Sequence, residues 1–515
     1  MFRDGVLKSI WQDEILREGN ASVKEGLYDV VIAGAGISGL SCAIRLQKSG
    51  MKCLLLEAEN IGFGTTGGTT AHLNTFFDAS YDEVIRDFGL ENAKIFSRSG
   101  PAAIEFIQSM ISEFGIDCDF ETKEAYLFAT DPNQLGALNK LKEAGNEVGI
   151  PFEYTQMTPF PIPFLKAVRV NGQAEFHPLL YLRGLRKAFQ QLGGEYIRKC
   201  RVMDYKSEAD ELIISTSLGE VKTRNLIYAT HTPPGVNLLH FRNIPWRSYV
   251  MAVELKDGNY PQALGYDLEE IYHYYRTHER EGKKYLIVGG KDHKTGIKIR
   301  TEDCFAQLET HIRTYFEVKK VVYKWSSQYF EPVDGLPYIG RIPGGPDNVF
   351  VCTGYNGNGM IFGTMAGIVF PDLILGKSNS YENLFNPRRV KPIAGFKKFI
   401  SHNTTAVGYW FKNQLSLSDA EKLEKLPVNC GEIVEIDKSS YAVFKELNGE
   451  CYILENNCSH AGCSVVWNES EMTWDCPCHG SRFGVKGNVL TAPAVKPLSR
   501  KELKDTDDSL KVSKD

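Results

Sequence analysis

The sequence lacks an apolar segment long enough to cross a membrane. Its longest apolar stretch, near residues 366–375, is interrupted by Pro371 and Asp372, whereas a spanning helix needs about 20 apolar residues. The first residues include acidic side chains and no apolar run, so no secretory signal is predicted. Internal repeats are absent. The formal net charge of −5 gives no indication of a nucleic-acid partner.

The composition is that of an ordinary globular protein. Hydrophobic residues make up 43% and charged residues 24% of the 515 residues, and this length predicts about three domains. Most of the 12 cysteines stand singly in apolar surroundings, as buried thiols in a reducing compartment do. They are Cys42, Cys53, Cys118, Cys200, Cys304, Cys352, Cys430 and Cys451. We therefore expect a cytoplasmic protein.

A glycine motif stands near the start of the chain. The β-branched run at 28–33 predicts a buried parallel strand, and it leads into GAGISG (34–39) and a helical segment. Gly34 permits a tight turn, Gly36 lets the backbone approach a pyrophosphate, and Gly39 packs the helix on the strand. A second strand ends at Glu57, where an acid binds ribose hydroxyls. The motif favours a dinucleotide site over a glycine-rich turn in an unrelated α/β sheet.

Further segments indicate which dinucleotide is bound. They are GTTGGTTA (64–71), EFHP (175–178), GEYI (194–197) with Arg201 and Val202, LIYAT (226–230), DGLPYIG (334–340) and VFVCTGYNGNGM (349–360). In this order they resemble the D-amino-acid oxidase and glycine oxidase superfamily. The resemblance implies a Rossmann-like α/β domain that binds FAD. The implied cofactor-binding residues are Gly34, Gly36, Ile37, Ser38, Gly39, Glu57, Ala58, Thr65, Thr66, Thr69, Thr70, Ala71, Val202, Ala229, Gly340, Gly354, Gly357, Asn358, Gly359 and Met360.

The same resemblance predicts non-covalent FAD. Superfamily members that tether the flavin use a cysteine in the closing motif or a histidine in the hydroxyl loop. The closing loop YNGNGM (355–360) has no cysteine, Gly68 aligns with the histidine, and His72 lies four residues later.

The segments between the FAD motifs predict an antiparallel sheet. Residues 247–254, 271–276 and 284–290 alternate and are rich in aromatics, and in the superfamily such a sheet covers the flavin and binds the substrate. Tyr249, Tyr274 and Arg276 are the candidate catalytic residues, because arginine can bind a carboxylate and tyrosines can orient an amine. Alternatively, Arg276 is a surface residue at a hairpin end and the tyrosines belong to the core.

Two boxes of cysteine and histidine stand near the end of the chain. Box I is CSHAGC (458–463) and box II is CPCHGS (476–481). Two thiolates and two imidazoles in paired boxes can hold a [2Fe-2S] cluster of Rieske type. The same ligand types suit tetrahedral zinc, but a zinc site leaves the second cysteine of each box unexplained.

The boxes and their flanks, TWDCPCHGSRF and APAVKPL, resemble the Rieske family. The resemblance implies one cluster held by Cys458 and Cys476 on one iron and His460 and His479 on the other, with a disulfide between Cys463 and Cys478. Where high-potential members have serine and tyrosine after box II, this chain has Ser481 and Phe483. Because hydrogen bonds to the sulfurs tune the potential, we expect a value below that of respiratory-chain members, within roughly −150 to +300 mV.

The motifs and composition predict the domain boundaries. Residues 1–380 form the FAD-dependent module, with FAD-binding segments at about 25–80, 175–235 and 325–380 and a substrate sheet at about 80–174 and 240–320. Residues 381–414 form a linker in which 396–413 predict a docking helix, and 415–515 form a small all-β Rieske domain. Basic residues in this linker favour a solvated face over membrane contact. They are Arg388, Arg389, Lys391, Lys397 and Lys398.

As a whole, the chain resembles bacterial FAD-dependent oxidoreductases with a C-terminal Rieske domain. The resemblance implies an enzyme that takes two electrons from a small amine or amino acid and passes them singly through the cluster to an acceptor, which is a protein, a quinone or oxygen. Two alternatives stay open. One is an oxygen-using amine oxidase with a peripheral Rieske module, and the other is a redox sensor or interaction protein.

Overall fold

The computed structural model describes residues 3–12, 22–24, 26–297, 299–390, 423, 426–436, 439–506 and 509–512. The first elements are β1 (Leu27–Ala33), α1 (Ile37–Lys48), β2 (Cys53–Glu57), α2 (Thr65–Gly68), β3 (His72–Leu73), α3 (Tyr81–Phe88), α4 (Leu90–Phe114), β4 (Glu121–Ala129), α5 (Leu135–Glu147), β5 (Phe152–Thr155), β6 (Lys166–Glu175) and α6 (Pro178–Gln191).

The chain continues through the second part of the flavin module and the Rieske domain. The former contains β7 (Glu195–Arg198), β8 (Val202–Glu208), β9 (Glu211–Thr216), β10 (Gly219–Tyr228), β11 (Asn243–Leu255), β12 (Leu264–Asp267), β13 (Tyr274–Arg280), β14 (Lys283–Lys294), α7 (Thr301–Tyr315), β15 (Val318–Pro332), β16 (Tyr338–Arg341), β17 (Val349–Thr353), α8 (Gly359–Ile374) and α9 (Glu382–Phe385). The latter contains β18 (Cys430–Ile436), β19 (Ser439–Lys445), β20 (Cys451–Glu455), β21 (Val466–Asn468), β22 (Thr473–Asp475), β23 (Arg482–Gly484), β24 (Val489–Thr491), β25 (Arg500–Lys501), β26 (Leu503–Thr506) and β27 (Ser509–Val512).

A mainly parallel sheet, with β16 antiparallel to β17, forms the centre of the FAD-binding part. Its strand order is β16-β17-β10-β1-β2-β7, and β9 and β8 extend it as an antiparallel pair beside β10. The apolar strands β1 and β2 are buried because core clusters cover both faces of the sheet. Helices α1 and α8 pack closely on one face, where a Cβ on Gly367 would lie 2.5 Å from the Cβ of Ser41. Glycine therefore permits the close approach of these two helices.

A second, mainly antiparallel sheet lies against the first. Its order is β15-β11-β14-β13-β12-β4-β6-β3, with β5 beside β6 and one parallel pair between β12 and β4. Successive side chains of a strand point to opposite faces. On β11, Ser248 and Val250 therefore face a cavity between the two sheets, whereas Tyr249 packs on the other face against Phe305 of α7.

The Rieske domain consists of two small antiparallel sheets. Their orders are β18-β19-β20-β25 and β21-β22-β23-β24, and β26 and β27 form a separate hairpin. Box I lies in the loop between β20 and β21, and box II lies between β22 and β23. The predicted fold class, an α/β flavin domain with an antiparallel sheet plus a small all-β domain, is confirmed.

Two local predictions were wrong, and a third lies outside the described residues. Strand β13 begins at Tyr274 and continues to Arg280, so Arg276 is in mid-strand and 1% exposed rather than at a hairpin end. Arg389 does not lie on a solvated linker face, since its side chain is only 7% exposed and donates to Asp334 Oδ1 and Oδ2 at 2.8 Å each. The predicted docking helix at 396–413 falls among residues that the structure does not describe.

The single cysteines are mostly buried, as predicted. Cys42, Cys53, Cys118, Cys200 and Cys352 are buried, and Cys304, Cys430 and Cys451 are half-buried. Burial raises the pKa of both Cys53 and Cys118 to about 12, which keeps these thiols protonated and unreactive.

None of the helices within the described ranges is both long and apolar enough to cross a bilayer.

Candidate functional site

A cavity of about 920 Å³ lies between the two sheets of the flavin module. One end is formed by the turn after β1, the start of α1 and the end of β2. The other end is formed by the antiparallel sheet and the loop before α8. Residues 490–492, 494 and 495 of the Rieske domain also line it. The cavity is therefore bordered by both the flavin module and the Rieske domain.

The glycine loop is shaped for a close approach to a ligand. Gly34 has a φ of +103°, and a Cβ there would lie 2.5 Å from the carbonyl oxygen of Ala229. A Cβ on Gly39 would lie 1.8 Å from the carbonyl oxygen of Gly34, so Gly39 packs the helix on the turn as predicted from the sequence. Gly36 faces the cavity beside Thr66, and the loop leaves the N-terminus of α1 open to a phosphate.

Glu57 lies at the end of the cavity where the sequence predicts that the ribose of the dinucleotide binds. Its Oε2 accepts a hydrogen bond from the Ala35 N–H at 2.8 Å, and its Oε1 accepts one from the Glu59 N–H at 2.8 Å. Burial raises the pKa of Glu57, and the two backbone donors counteract this rise. The carboxylate is thus held rigidly at the cavity wall, where it can accept hydrogen bonds from vicinal hydroxyls.

The hydroxyl loop lies across the glycine loop. Thr66 Oγ1 accepts a hydrogen bond from the Ile37 N–H at 3.1 Å, and Thr69 Oγ1 accepts one from the Ala71 N–H at 3.0 Å. Two threonine hydroxyls therefore order the backbone that borders the cavity.

Most of the predicted FAD residues line this cavity. They are Gly34, Gly36, Ile37, Ser38, Glu57, Ala58, Thr65, Thr66, Thr69, Thr70, Val202, Ala229, Gly357, Asn358, Gly359 and Met360. The others, Gly39, Ala71, Gly340 and Gly354, do not line it. A Cβ on Gly340 would meet Pro387 at 2.6 Å, and one on Gly354 would meet Asn243 at 2.7 Å.

The structure places only one of the three predicted substrate residues in the cavity. Tyr274 lines it and shares a 2.8 Å hydrogen bond with Ser248. Tyr249 points to the opposite face, where its hydroxyl pairs with His293 at 2.8 Å, because strand alternation reverses its direction. Arg276 donates to the Thr70 and Ala71 carbonyls at 2.9 and 3.2 Å and pairs with Glu175 at 3.1 Å. The predictions for Tyr249 and Arg276 as substrate ligands are therefore corrected, and Arg276 instead braces the hydroxyl loop.

Several cavity residues were missed in the sequence. Asp78, Tyr272, Asp292 and Tyr329 line the end of the cavity beside Tyr274. His72 also lines it and shares a 2.5 Å hydrogen bond with Tyr266, while burial lowers the pKa of His72 well below its usual value. Alternation along the strands could have identified some of these cavity-lining residues. The cavity-facing positions of three adjacent strands are occupied by Ser248, Val250, Tyr274 and Asp292.

Replacing Glu57 with alanine is expected to weaken FAD binding about 10- to 100-fold, because a charged hydrogen-bond acceptor contributes roughly 1.5–3 kcal/mol. Fluorescence titration of the apoprotein with FAD measures the change. Glu57→Gln, which keeps one oxygen, should lose less. Acid precipitation of each variant should leave the yellow flavin in the supernatant, and colour retained on the polypeptide would contradict non-covalent binding.

The two predicted cysteine ligands meet inside the Rieske domain. Cys458 and Cys476 are buried, and a hydrogen bond between their thiols lowers the pKa of Cys458 to about 7 and raises that of Cys476 well above its usual value. Cys463 and Cys478 form a disulfide that joins the two box loops. The two predicted cluster ligands, Cys458 and Cys476, are therefore separate from the two cysteines that form the disulfide.

The two predicted histidine ligands also lie side by side. The ring centroids of His460 and His479 are 4.9 Å apart. Both ring nitrogens of His460 are buried, and within the described ranges neither makes a hydrogen bond of normal geometry, although the Gly235 backbone lies close enough to raise its pKa against the effect of burial. The two thiols pair with each other and the two imidazoles lie side by side, and this donor set fits a Rieske [2Fe-2S] cluster.

Ser481 and Phe483 surround the cysteine ligands as the sequence suggests. The Ser481 hydroxyl hydrogen-bonds the Cys458 sulfur and accepts a bond from the Ala494 N–H at 3.0 Å. Phe483 is fully buried in the same core cluster as Cys458 and Cys476. Its ring offers no hydroxyl to a sulfur.

Phe483→Tyr is expected to raise the midpoint potential of the cluster, because an added O–H donor to sulfur stabilises the reduced state. Redox titration followed by EPR measures the shift. Phe444→Tyr adds a hydroxyl elsewhere in the same domain core and should leave the potential unchanged. An unshifted potential in Phe483→Tyr, or a wild-type value near +300 mV, would contradict this account of tuning.

Box II docks directly on the flavin module. Gln328 is buried, lines the cavity, and donates from Nε2 to the Gly480 carbonyl at 2.9 Å. The ring of His240 lies 4.8 Å from that of His460, and the ring of Phe241 lies 5.1 Å from that of His479. The imidazole side of the metal site is therefore covered by the flavin module, and one hydrogen bond connects its box II loop to the cavity wall.

Comparisons with known proteins agree with this geometry. A family model described as FAD dependent oxidoreductase (DAO) matches residues 29–373, and a Rieske [2Fe-2S] domain model matches residues 420–504. YhfW of Bacillus subtilis (strain 168), named as a Rieske 2Fe-2S iron-sulfur protein, is 32% identical over 477 residues, which are 92% of this chain and 93% of YhfW.

More distant relatives cover the flavin module. Gamma-glutamylputrescine oxidoreductase of Escherichia coli (strain K12) is 22% identical over 70% of this chain and 86% of its own length. The crystal structure of glycine oxidase from Geobacillus kaustophilus superposes with a TM-score of 0.57 at 18% identity, over 71% of this chain and 99% of that chain. This chain therefore belongs to the DAO family of FAD-dependent oxidoreductases and carries a C-terminal Rieske [2Fe-2S] domain.

Proposed function

We propose that the protein oxidises a small amine or amino acid in the flavin cavity and passes the electrons one at a time through the Rieske cluster to a further acceptor. The contact between Gln328 and Gly480 carries this proposal. Gln328 belongs to the cavity wall, and Gly480 directly follows the cluster ligand His479. A route through these residues needs no movement of the Rieske domain.

The proposal assigns a role to each part of the cavity. Bound FAD supplies hydride acceptance from a C–H bond next to nitrogen, which leaves an imine for water to hydrolyse, while a [2Fe-2S] cluster supplies single-electron transfer. The glycine loop and Glu57 hold the dinucleotide. The cavity-facing side chains of β11, β13 and β14 hold the substrate. Residues 490–492, 494 and 495 of the Rieske domain close the cavity and limit the access of water.

The relatives support an amine or amino acid as the substrate class. Glycine oxidase and gamma-glutamylputrescine oxidoreductase are both named for substrates with an amino group. The acceptor in this proposal is a protein, a quinone or oxygen. The predominance of free, buried thiols supports a cytoplasmic location.

Light-driven anaerobic reduction of the flavin by a sacrificial electron donor, which is oxidised in the step, tests the electron route without a substrate. Flavin absorbance and the Rieske EPR signal are followed together after the flash. Cluster reduction that follows flavin reduction supports the proposal. A reduced flavin beside an oxidised cluster, with peroxide formed when oxygen is admitted, would instead favour an oxidase with a peripheral Rieske module. A panel of amines, tested in the same way, then identifies the substrate.

A further inference from the structure

The substrate end of the cavity contains a buried carboxylate with an open oxygen. Asp292 lies on β14, and its Oδ2 accepts a hydrogen bond from the Tyr329 hydroxyl at 2.9 Å. Its Oδ1 is buried and, within the described parts of the chain, makes no hydrogen bond of normal geometry, although the Ser248 hydroxyl lies close enough to lower the pKa of Asp292 against the effect of burial. Because a buried acceptor without a donor is costly, this oxygen is suited to a ligand that brings a donor or a positive charge.

Phenols and a second carboxylate surround Asp292. The hydroxyl of Tyr272 donates to Asp78 Oδ1 at 2.8 Å, and the Gly357 N–H donates to Asp78 Oδ2 at 2.6 Å. Both oxygens of Asp78 are thus used by the protein. Tyr272, Tyr274 and Tyr329 line the same end of the cavity. Burial, and then the nearby Asp78, raise the pKa of Asp292 to about 6, so it is ionised at neutral pH.

The buried arginines Arg276 and Arg3 are bonded away from this end. Arg276 is bonded to the hydroxyl loop and Glu175 behind the cavity wall, and Arg3 pairs with His231 and Thr65 beside the hydroxyl loop. Of the described cations near the substrate end, Arg86 and Lys140 line the cavity with exposed side chains. A substrate carboxylate bound near Tyr274 would therefore have no buried arginine partner and would face Asp292 and Asp78.

We propose that the substrate is a small amine with an ammonium group and no carboxylate on the reacting carbon, and that Asp292 and the surrounding tyrosines bind this ammonium group. With FAD bound, the ammonium group would give one proton to Asp292 before the neighbouring C–H bond of the neutral amine gives hydride to the flavin. The inference rests on the proposed function, because it assumes that the flavin cavity is the oxidation site. Ion pairing with Asp292 supplies charge recognition, and the faces of Tyr272, Tyr274 and Tyr329 supply cation–π contacts. An α-amino acid is disfavoured by repulsion between its carboxylate and Asp292.

Two matched ligand pairs test the inference on the holoenzyme. Tetramethylammonium and trimethylglycine differ only by a carboxylate and do not lose hydride as neutral amines do, so their binding is measured from the absorption change of the oxidised flavin at constant ionic strength. Butylamine and norvaline differ in the same way, and anaerobic flavin reduction compares them as substrates. We expect tetramethylammonium to bind about tenfold or more tightly than trimethylglycine, and butylamine to reduce the flavin faster than norvaline.

Variants assign the effect to Asp292. Asp292→Asn keeps the size of the side chain and should weaken tetramethylammonium binding about tenfold or more. Tyr329→Phe should weaken it less. Asp210→Asn, an exposed change at the turn between β8 and β9, should have no effect. FAD content and the Rieske EPR signal confirm folding. If Asp292→Asn does not fold, Tyr329→Phe and the ligand pairs measured on the wild type still test whether this end of the cavity binds an ammonium group.

The inference is overturned if trimethylglycine binds as tightly as tetramethylammonium, if norvaline reduces the flavin as fast as butylamine, if tetramethylammonium gives no saturable change, or if a folded Asp292→Asn binds it like the wild type. None of these results concerns transfer from flavin to cluster, which the light-driven experiment measures without any amine. Failure of the substrate class and failure of the electron route are therefore distinguishable.

Discussion

Replacing Cys476 with serine is expected to abolish the Rieske EPR signal and to stop electrons at the flavin. Serine is a poor substitute for a thiolate in binding iron, and Cys476 pairs with Cys458 at the buried end of the metal site. The FAD content should stay near that of the wild type, because the cavity is formed mainly by the flavin module. Iron analysis, EPR and light-driven flavin reduction measure the three effects.

Cys451→Ser is the matched control for this prediction. Cys451 lies on β20 of the same domain, is half-buried and is free in the structure, so its loss should leave the cluster and the electron route intact. A Cys476→Ser variant with a normal Rieske signal would contradict the ligand assignment. Loss of FAD together with the cluster would show instead that the two domains depend on each other for folding.

The two cofactor motifs were recognisable in the sequence because each depends on neighbouring residues, and the resemblance that they carry predicted the fold class. The strand, glycine loop and helix around Gly34 are specified within about 20 residues, and each cysteine and histidine box occupies a single loop. The end of β13 was predicted wrongly, because polar residues such as Thr277 and His278 are typical of hairpin ends. In the structure both are buried between neighbouring strands, and such long-range burial has no local signal.

The substrate end of the cavity was the least predictable part of the site. Arginine was expected to bind a carboxylate, but Arg276 is enclosed by carbonyls from the hydroxyl loop and by Glu175, which are distant in sequence. Asp292 and Asp78 reach the cavity only because two sheets meet there. Alternation along β11 could have excluded Tyr249, since Ser248 and Val250 occupy the opposite face. Identifying the cavity-facing side still required the relative placement of the sheets.

The docked position of the Rieske domain could not be predicted from local sequence patterns either, because it depends on a buried ionic cluster at the domain junction. Arg482 pairs with Asp475 at 2.9 Å and with Asp4, from the N-terminal segment, at 3.0 Å. Arg247 of β11 lies 3.5 Å from Asp475. Burial would raise the pKa of Asp475, but Arg482 and then Arg247 outweigh it and lower the pKa to about 2. Three distant parts of the chain thus share one set of charges.

Arg482→Met is expected to destabilise the junction by about 3–5 kcal/mol, because it leaves buried carboxylates without their main partner. The guanidinium also donates to the Arg3 and Asp4 carbonyls at 3.1 and 2.6 Å, so the N-terminal segment should detach as well. Denaturant unfolding monitors stability, and light-driven flavin reduction should show slower transfer to the cluster.

Two further variants distinguish loss of the junction contacts from loss of one positive charge. Their results decide whether the Rieske domain must stay docked for electron transfer. Arg500→Met removes an exposed arginine of the same domain, which lies 3.5 Å from Glu450, and should change stability and transfer little. The double variant Arg482→Met with Asp475→Asn should recover part of the lost stability, since it removes one of the stranded charges. Unchanged transfer in a destabilised Arg482→Met would contradict a route through the fixed contact of Gln328 with Gly480, and it would imply a mobile Rieske domain that reaches the flavin by another path.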